Sequence, residues 1–183
     1  MSIKNDAKKN GFLVRNLRNF FEHRALWMYF LIDEARKKGI KPESFAPAAI
    51  RRCGIYHGMR ALTGKDVPVQ AAGNSGSKAG ETANNNCRML QKKLFPPAGK
   101  AIFEMEFLAL SDDAFDVDFH YCPLVNAWKK QGCPDEEIDK LCDWAMEGDR
   151  GIAEAFGCSL ELKKTIAKGE GVCEIRFKRL ASQ

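Results

Sequence analysis

The stretch Phe115–Pro123, with the sequence FDVDFHYCP, combines four side chains that can take part in bond-making chemistry. Asp116, Asp118, His120 and Cys122 stand at every second position, with apolar or aromatic residues between them. A thiol supplies a nucleophile, an imidazole moves protons near neutral pH, and carboxylates hold or polarise a cationic group. Because strict alternation is typical of a β-strand with two different faces, the pattern predicts one reactive face.

A second alternating run precedes this strand and can pair with it as a β-hairpin. Between positions 103 and 107, apolar side chains alternate with Glu104 and Glu106, and a polar turn follows at 110–113. If the aromatic faces of the two strands coincide, Glu104 and Glu106 lie beside Asp118 and His120 on the opposite face. We therefore expect carboxylates, an imidazole and a thiol to crowd one patch.

This patch also has a structural interpretation, in which its carboxylates form exposed ion pairs that contribute only about 0–1 kcal/mol each. The basic partners that the sequence offers are Lys163, Arg176 and Lys178. A third interpretation is a metal site made of Asp118, His120, Cys122 and a distant ligand, although the spacing matches no established ligand pattern. We expect no bound cofactor and leave a metal ion open.

The first long helix carries an apolar stripe that we expect to face the core. It consists of Leu13, Leu17, Phe20, Trp27 and Leu31. Arg24 falls inside this stripe, and Asp149 takes the corresponding place in a later helix, so both charges are predicted to point inward. They can pair with each other, or Arg24 can receive a substrate carboxylate through a bidentate contact. His57 is interpreted as an ordinary packed or exposed helix histidine.

The periodicities predict an α+β fold. Helical spacing covers about 11–38, 42–62, 80–94, 123–131 and 133–156, and strand spacing covers two hairpins at about 102–122 and 160–178. We expect a mainly antiparallel sheet of about four strands with helices packed on one face. The length predicts a single domain over residues 1–183, with residues 1–10 as a flexible tail.

Composition limits the classes of partner and compartment. Basic and acidic residues, 29 and 24 in number, are intermixed, so the net charge of +5 forms no basic face of the kind that binds nucleic acid. Seven cysteines without C-x-x-C pairs indicate reduced thiols and a cytoplasmic protein. No apolar run reaches the ~18 residues that span a bilayer. We expect a small-molecule substrate, no nucleic acid and no membrane, with a homodimer left open.

One glycine- and asparagine-rich run, from Pro68 to Asn86, is predicted to be a loop that roofs the reactive face. Its GNSGSK segment only superficially resembles a phosphate loop, because the G-x-x-x-x-G-K-[ST] spacing is absent.

Three segments resemble a known family. The runs FHYCPLVNAWKKQGCPDEEIDKLCDWAMEGDRGIAEAFG and KTIAKGEGVCEIRF, together with HRALWMYFLIDEARKKG near the start, resemble the L-2-amino-thiazoline-4-carboxylic acid hydrolase family. The resemblance implies hydrolysis of a cyclic isothiourea, a non-peptide carbon–nitrogen substrate, to a carbamoyl-cysteine. The ending GEGVCEIRF is also similar to the 4-vinyl-reductase-type domain, which implies a non-catalytic small-molecule-binding or sensor module as the alternative.

Chemistry of that kind suggests roles for the candidate residues. Cys122, with its thiolate favoured by His120 and by the start of the next helix, attacks the amidine carbon, or His120 activates water to do so. Asp118 is the third catalytic candidate and would help to hold the amidinium. The candidate substrate-binding residues are Glu104, Glu106, Arg24 and Asp149.

Overall fold

The computed structural model describes residues 3–66 and 86–181. Its α-helices are α1 (Phe12–Lys37), α2 (Ala46–Thr63), α3 (Cys87–Leu94), α4 (Pro97–Ile102), α5 (Pro123–Lys130) and α6 (Asp135–Ala155), and its strands are β1 (Met105–Leu110), β2 (Ala114–Phe119), β3 (Cys158–Leu162) and β4 (Cys173–Arg179). Short 3-10 turns at Pro42–Ser44 and Ile166–Lys168 precede α2 and β4. Most of the predicted Pro68–Asn86 loop and the first part of the predicted 80–94 helix lie outside the described residues.

The four strands form one antiparallel sheet in the order β1-β2-β4-β3, which confirms the predicted α+β class and its two hairpins. Glu106 lies opposite Asp118 and Phe107 lies opposite Val117, as the matching of aromatic faces predicts. A register shift after Phe107 then pairs Ala109 with Asp116. That the chain is a single domain stays a prediction.

Aromatic rings on one face of the sheet form the centre of the core. Phe115 and Phe177 are fully buried and stack with ring centroids 5.7 Å apart. Phe95, which follows α3, meets their edges at 5.1 and 5.9 Å. The helix-covered face of the sheet is therefore apolar, and the alternate strand positions carry the polar side chains.

The α1 helix has the predicted period, but its apolar stripe faces outward, so the predicted orientation of the helix is wrong. Phe20 is 71% exposed and Trp27 is 61% exposed. The buried side of α1 instead contains Arg18, Ala25 and Ile32. Because the Ala25 side chain is small, α5 can approach α1 closely at this point. The indole N–H of Trp128 in α5 donates a 3.1 Å hydrogen bond to the carbonyl of Ala25.

Residues 3–10 have no helix or strand, yet they pack against the sheet and α5. Ile3 is 3% exposed, and the Asn5 side chain pairs with both the N–H and the carbonyl of Cys122 at 2.9 and 2.8 Å. These contacts differ from the flexible tail expected of residues 1–10. The N-terminal segment therefore fixes the backbone at a candidate site residue.

Helices α2 and α6 pack at very short range through glycines. A Cβ on Gly54 would overlap the carbonyl oxygen of Gly148, and one on Gly151 would overlap the carbonyl oxygen of Arg51. Only glycine allows this approach, which brings α2 beside the face of α6 that carries Asp149. No helix within the described residues has the length and apolar character needed to cross a membrane.

Candidate functional site

The polar face of the sheet is organised around Arg176. Its Nη1 donates to Asp118 Oδ1 at 2.7 Å and to the carbonyls of Val117 and Ile175, and its other nitrogens lie 3.9 Å from Asp116 and 3.7 Å from Glu174. Asp118 is therefore already neutralised by a well-buried guanidinium. This arrangement matches the structural interpretation of the patch, in which cross-strand ion pairs balance the carboxylates.

His120 belongs to the same polar face. Its Nε2 lies 3.1 Å from Glu106 Oε2 on the neighbouring strand, and the Glu106 side chain is exposed. Across residues 3–66 and 86–181, the structure has no group of three or more His, Cys, Asp or Glu side chains arranged to hold a metal ion. The described residues thus give no cluster of the kind that the metal interpretation requires.

Glu104 does not share that face, so the predicted position of its carboxylate is wrong. Its backbone has φ +52°, which turns the chain before β1 and directs the side chain inward. Its Oε1 accepts hydrogen bonds from Arg18 at 3.0 Å and from the N–H groups of Lys8 and Lys9 at 2.7 Å. The Glu104 carboxylate therefore binds the N-terminal segment and Arg18 through Oε1.

Cys122 leaves the strand before its side chain can join His120. Strand β2 ends at Phe119, Pro123 opens α5, and Cys122 is the N-cap residue between them. Ionisation of Cys122 raises the pKa of both Cys142 and Cys173, so the three sulfurs are neighbours. Since Cys173 lies on the helix-covered face of β4, the thiol and the imidazole lie on opposite sides of the sheet.

Cys122 and Asp149 both have raised pKa values. Burial raises the pKa of the Cys122 thiol, while the N–H groups of Val125 and Leu124 and the charge of Arg24 act in the opposite direction. The start of α5 therefore does favour the thiolate, but burial outweighs it, contrary to the predicted activation. Burial likewise raises the pKa of Asp149, against the charges of Arg24 and Arg150.

Cys122 and Asp149 both keep some accessible surface despite this strong desolvation. We call the region that holds these two side chains the recess. The recess is bordered by the start of α5 and by α6, which supply the thiol and the carboxyl group.

Arg24 connects the members of this site. Its charge acts on Cys122, Asp149 and also His57, whose pKa is lowered by burial, by Arg24 and by Arg60. Arg24 is exposed rather than inward-facing, which corrects its predicted orientation. Among the residues that the structure describes, Arg24 and Asp149 form no ion pair within 4.0 Å, so they influence each other across a gap.

The sequence predicts three of these residues as site residues, whereas His57, interpreted as an ordinary packed or exposed helix histidine, is an exposed residue of α2. The structure brings together Cys122, Arg24 and Asp149, and it separates them from His120, Asp118, Glu106 and Glu104. A signal for His57 was present in Gly54 and Gly58, because small residues four positions apart on a helix indicate a close helix crossing. A histidine inside that spacing lies at the edge of the crossing.

The arrangement offers the groups that addition to an electrophilic carbon requires. The Cys122 thiol stays protonated near neutral pH and needs a base. Asp149 holds its proton to higher pH than an ordinary aspartate, so it can act as acid and base, and Arg24 can bind an anion. His57, with its lowered pKa, is a neutral imidazole near pH 7.

Comparison with known proteins gives one family and one related fold. The model of the family described as L-2-amino-thiazoline-4-carboxylic acid hydrolase matches residues 18–177. No curated protein sequence matches the chain. A solved structure, a trafficking protein particle complex subunit 3 from Naegleria fowleri covalently bound to palmitic acid, is 18% identical with a TM-score of 0.50 and covers 86% of this chain and 93% of its own. That likeness concerns the fold alone.

Proposed function

Because the chain belongs to the L-2-amino-thiazoline-4-carboxylic acid hydrolase family, we propose that it hydrolyses a small cyclic amidine that carries a carboxylate. The observation that supports this substrate class is the pair of opposite charges, Arg24 and Asp149, which act on each other and on the Cys122 thiol without direct contact. A zwitterionic substrate has the same two charges in reverse and can bridge that gap.

In this proposal, the ends of the substrate are recognised by different helices. Arg24 of α1 binds the carboxylate through its guanidinium fork, and Asp149 of α6 binds the amidinium. This places the amidine carbon beside the Cys122 sulfur at the start of α5. The two charged contacts orient the reacting atoms, which lowers the entropic part of the barrier.

The reaction then proceeds by nucleophilic addition. The Cys122 sulfur bonds to the amidine carbon, and the thiol proton passes to the Asp149 carboxylate. The ring C–N bond breaks, and Asp149 gives its proton to the departing nitrogen. Water adds to the same carbon, the C–S bond to Cys122 breaks, and the carbamoyl product leaves with the oxygen of that water while the thiol is restored. One water molecule is consumed and nothing else is released.

The test is an assay with L-2-amino-thiazoline-4-carboxylic acid, with the carbamoyl product detected by mass spectrometry. We expect Cys122→Ser and Asp149→Asn to lower kcat by at least about 10²-fold, and Arg24→Gln to act mainly by raising KM. The matched controls are His120→Ala and Glu106→Gln on the polar sheet face, which should keep activity within about twofold of the unsubstituted protein.

If the controls lose activity and the Cys122 variant keeps it, the active site lies on the polar face of the sheet. If His120→Ala abolishes turnover and Cys122→Ser retains it, then His120 activates water and the recess is not the active site. Loss with His57→Ala but not with Cys122→Ser would instead indicate direct attack by water with His57 as the base.

A second candidate function is a non-catalytic binding module. It is favoured by one observation: burial keeps the Cys122 thiol protonated beside two further buried thiols, Cys142 and Cys173, which suits a slow covalent attachment better than rapid turnover. The related fold that carries covalently bound palmitic acid makes a long acyl chain the ligand to test. Incubation with a palmitoyl thioester, followed by intact mass measurement of the protein and its Cys122→Ser variant, distinguishes a persistent adduct from product release.

A further inference from the structure

Helix α1 carries six exposed large hydrophobic side chains. They are Phe12, Leu13, Phe20, Trp27, Phe30 and Leu31, and their exposed fractions lie between 49% and 77%. Surface hydrophobic residues that occur singly need no explanation, but a contiguous patch of this size marks an interaction site. Within residues 3–66 and 86–181, no element packs over this side of α1.

The patch follows the seven-residue repeat of a coiled coil. Leu13, Phe20 and Trp27 are spaced by seven, and Leu17, Arg24 and Leu31 take the positions four residues after each of them. This is the a/d pattern, in which both residue sets fall on one seam that faces a partner helix. Five of the six seam positions are apolar, and the sixth is Arg24.

We propose that α1 is the interface between two copies of this chain, packed antiparallel across a two-fold axis. With the axis level with position 22, Leu13 of one copy meets Leu31 of the other, and Leu17 meets Trp27. Phe20 then lies against Arg24 of the second copy, where the ring can pack on the aliphatic stem of Arg24 and leave its guanidinium free for the substrate carboxylate. Every seam position is matched in this one register, and a two-fold axis makes all contacts occur twice.

The exposed area is sufficient for a stable pair. Each aromatic side chain has about 150–250 Å² of surface to bury. Six large side chains with exposed fractions of 49–77% therefore offer several hundred square ångströms, the same order as the roughly 800 Å² per partner of a standard interface. The 26-residue helix is long enough to present the whole seam, at about 39 Å from its 1.5 Å rise per residue.

A second copy fits this surface better than a lipid bilayer does. A helix that lies on a membrane has a polar face rich in Lys and Arg. Asn16 and His23 border the α1 seam on one side instead, and the opposite side of the helix is buried against α5. The narrow seam and its mixed borders are those of a helix–helix contact.

The test measures molecular mass by light scattering at about 10 µM protein. The chain has a mass of 20.5 kDa, and we expect twice that value for the unsubstituted protein. Leu13→Glu should give a monomer, because it places two carboxylates against apolar side chains at the seam. The matched control is Leu108→Glu on the edge strand β1, a leucine outside the seam that is 51% exposed against 68% for Leu13, which should leave the dimer intact.

A second substitution tests the register. In the antiparallel pair, Leu13→Glu combined with Leu31→Lys sets opposite charges against each other at both ends, so the double variant should recover the dimer. Parallel helices would set like charges together and would not recover it. A monomeric unsubstituted protein, a dimer that survives Leu13→Glu, or a monomer that sediments with anionic vesicles would each overturn the proposal.

Discussion

The reactivity of Cys122 is set by effects of opposite sign from its surroundings. Burial among helices disfavours the thiolate, whereas Arg24 and the N–H groups at the start of α5 favour it. The net result is a raised pKa, so the group is a thiol at neutral pH and gains its nucleophilicity only when a base removes the proton. A substrate that delivers positive charge into the recess favours the thiolate further.

The pH dependence of alkylation measures this balance. With iodoacetamide, Cys122 should react about tenfold or more slowly than the exposed Cys53 at pH 7.5, and its rate should still be rising above pH 9. Removing the positive charge with Arg24→Gln should slow the Cys122 reaction at pH 9. A rate for Cys122 that levels off below pH 8, or one that Arg24→Gln increases, would contradict the assigned surroundings.

Asp149 should be a residue whose removal costs activity but not stability. Its folded-state pKa is raised above the ordinary 3.8, so its contribution to stability is present below that value and is lost as pH rises through the folded pKa. Asp149→Asn should therefore raise Tm at pH 7 while it lowers kcat. The Tm difference should close as the pH falls toward 4, which thermal unfolding at several pH values checks. A lower Tm at pH 7 would mean that the carboxylate is structurally required.

The polar face of the FDVDFHYCP strand could be predicted from the sequence, but the separation of Cys122 from His120 could not. Alternation correctly places Asp118 and His120 on the polar face. It fails at Cys122 because β2 ends at Phe119 and the chain bends at His120, so the strand period does not reach Cys122, the N-cap residue of α5. Pattern alone also gives no pKa, since burial of the Cys122 thiol depends on packing from α6 and β4.

At the scale of elements, the fold places the recess by letting two helices touch along their backbones. Gly54 faces Gly148, Gly58 faces Ala155, and Gly151 meets the backbone of Arg51, so α2 lies directly against the helix that carries Asp149. The bounds of both helices follow from their sequence periods. The orientation of α1 does not, because hydrophobicity favours the larger apolar face, whereas the buried face is the one with small Ala25 and the ion-paired Arg18.

The helix crossing makes a sharp prediction about two glycines that lie next to each other. Gly54→Ala should destabilise the protein by about 1–3 kcal/mol or more, because its methyl group overlaps the backbone of Gly148 and forces the helices apart. Gly148→Ala should be neutral or stabilise by up to about 1 kcal/mol, since its methyl group meets Ile50 at ordinary distances, 3.5 Å to Cγ2 and 3.9 Å to the carbonyl oxygen, and alanine favours the helix. Urea unfolding compares the two, and equal effects would contradict the crossing geometry.

At the scale of the whole molecule, the N-terminal segment links parts of the chain that are distant in sequence. Glu104 receives N–H groups from residues 8 and 9 and the guanidinium of Arg18, and Arg18 in turn stacks 4.0 Å over the ring of Tyr121. A polar, basic segment with no periodicity predicts a tail, because its partners lie about 95 residues away. Such contacts are invisible to any local pattern.

This buried pair predicts a stability change that depends on pH. Glu104 has a lowered pKa, because the N–H of Lys9, the Arg18 guanidinium and the N–H of Lys8 together outweigh its burial. A depressed folded pKa contributes stability above the ordinary value of 4.5, and that contribution is lost as pH falls through the folded pKa. At pH 7, Glu104→Gln should lower the free energy of unfolding by about 3 kcal/mol, because it leaves the buried Arg18 without its counter-charge.

The matched control is Glu106→Gln, two residues away, which removes only the exposed contact with His120 and should change the free energy by less than about 1 kcal/mol. Urea unfolding at pH 7 and at pH 3.5 provides the comparison. The deficit of Glu104→Gln should shrink at the lower pH, where the unsubstituted carboxyl also begins to lose its charge. In the same variant, released residues 3–10 should become sensitive to protease and Cys122 should alkylate faster, because Asn5 no longer holds its backbone. A deficit that is independent of pH would mean that Glu104 acts through packing and not through its charge.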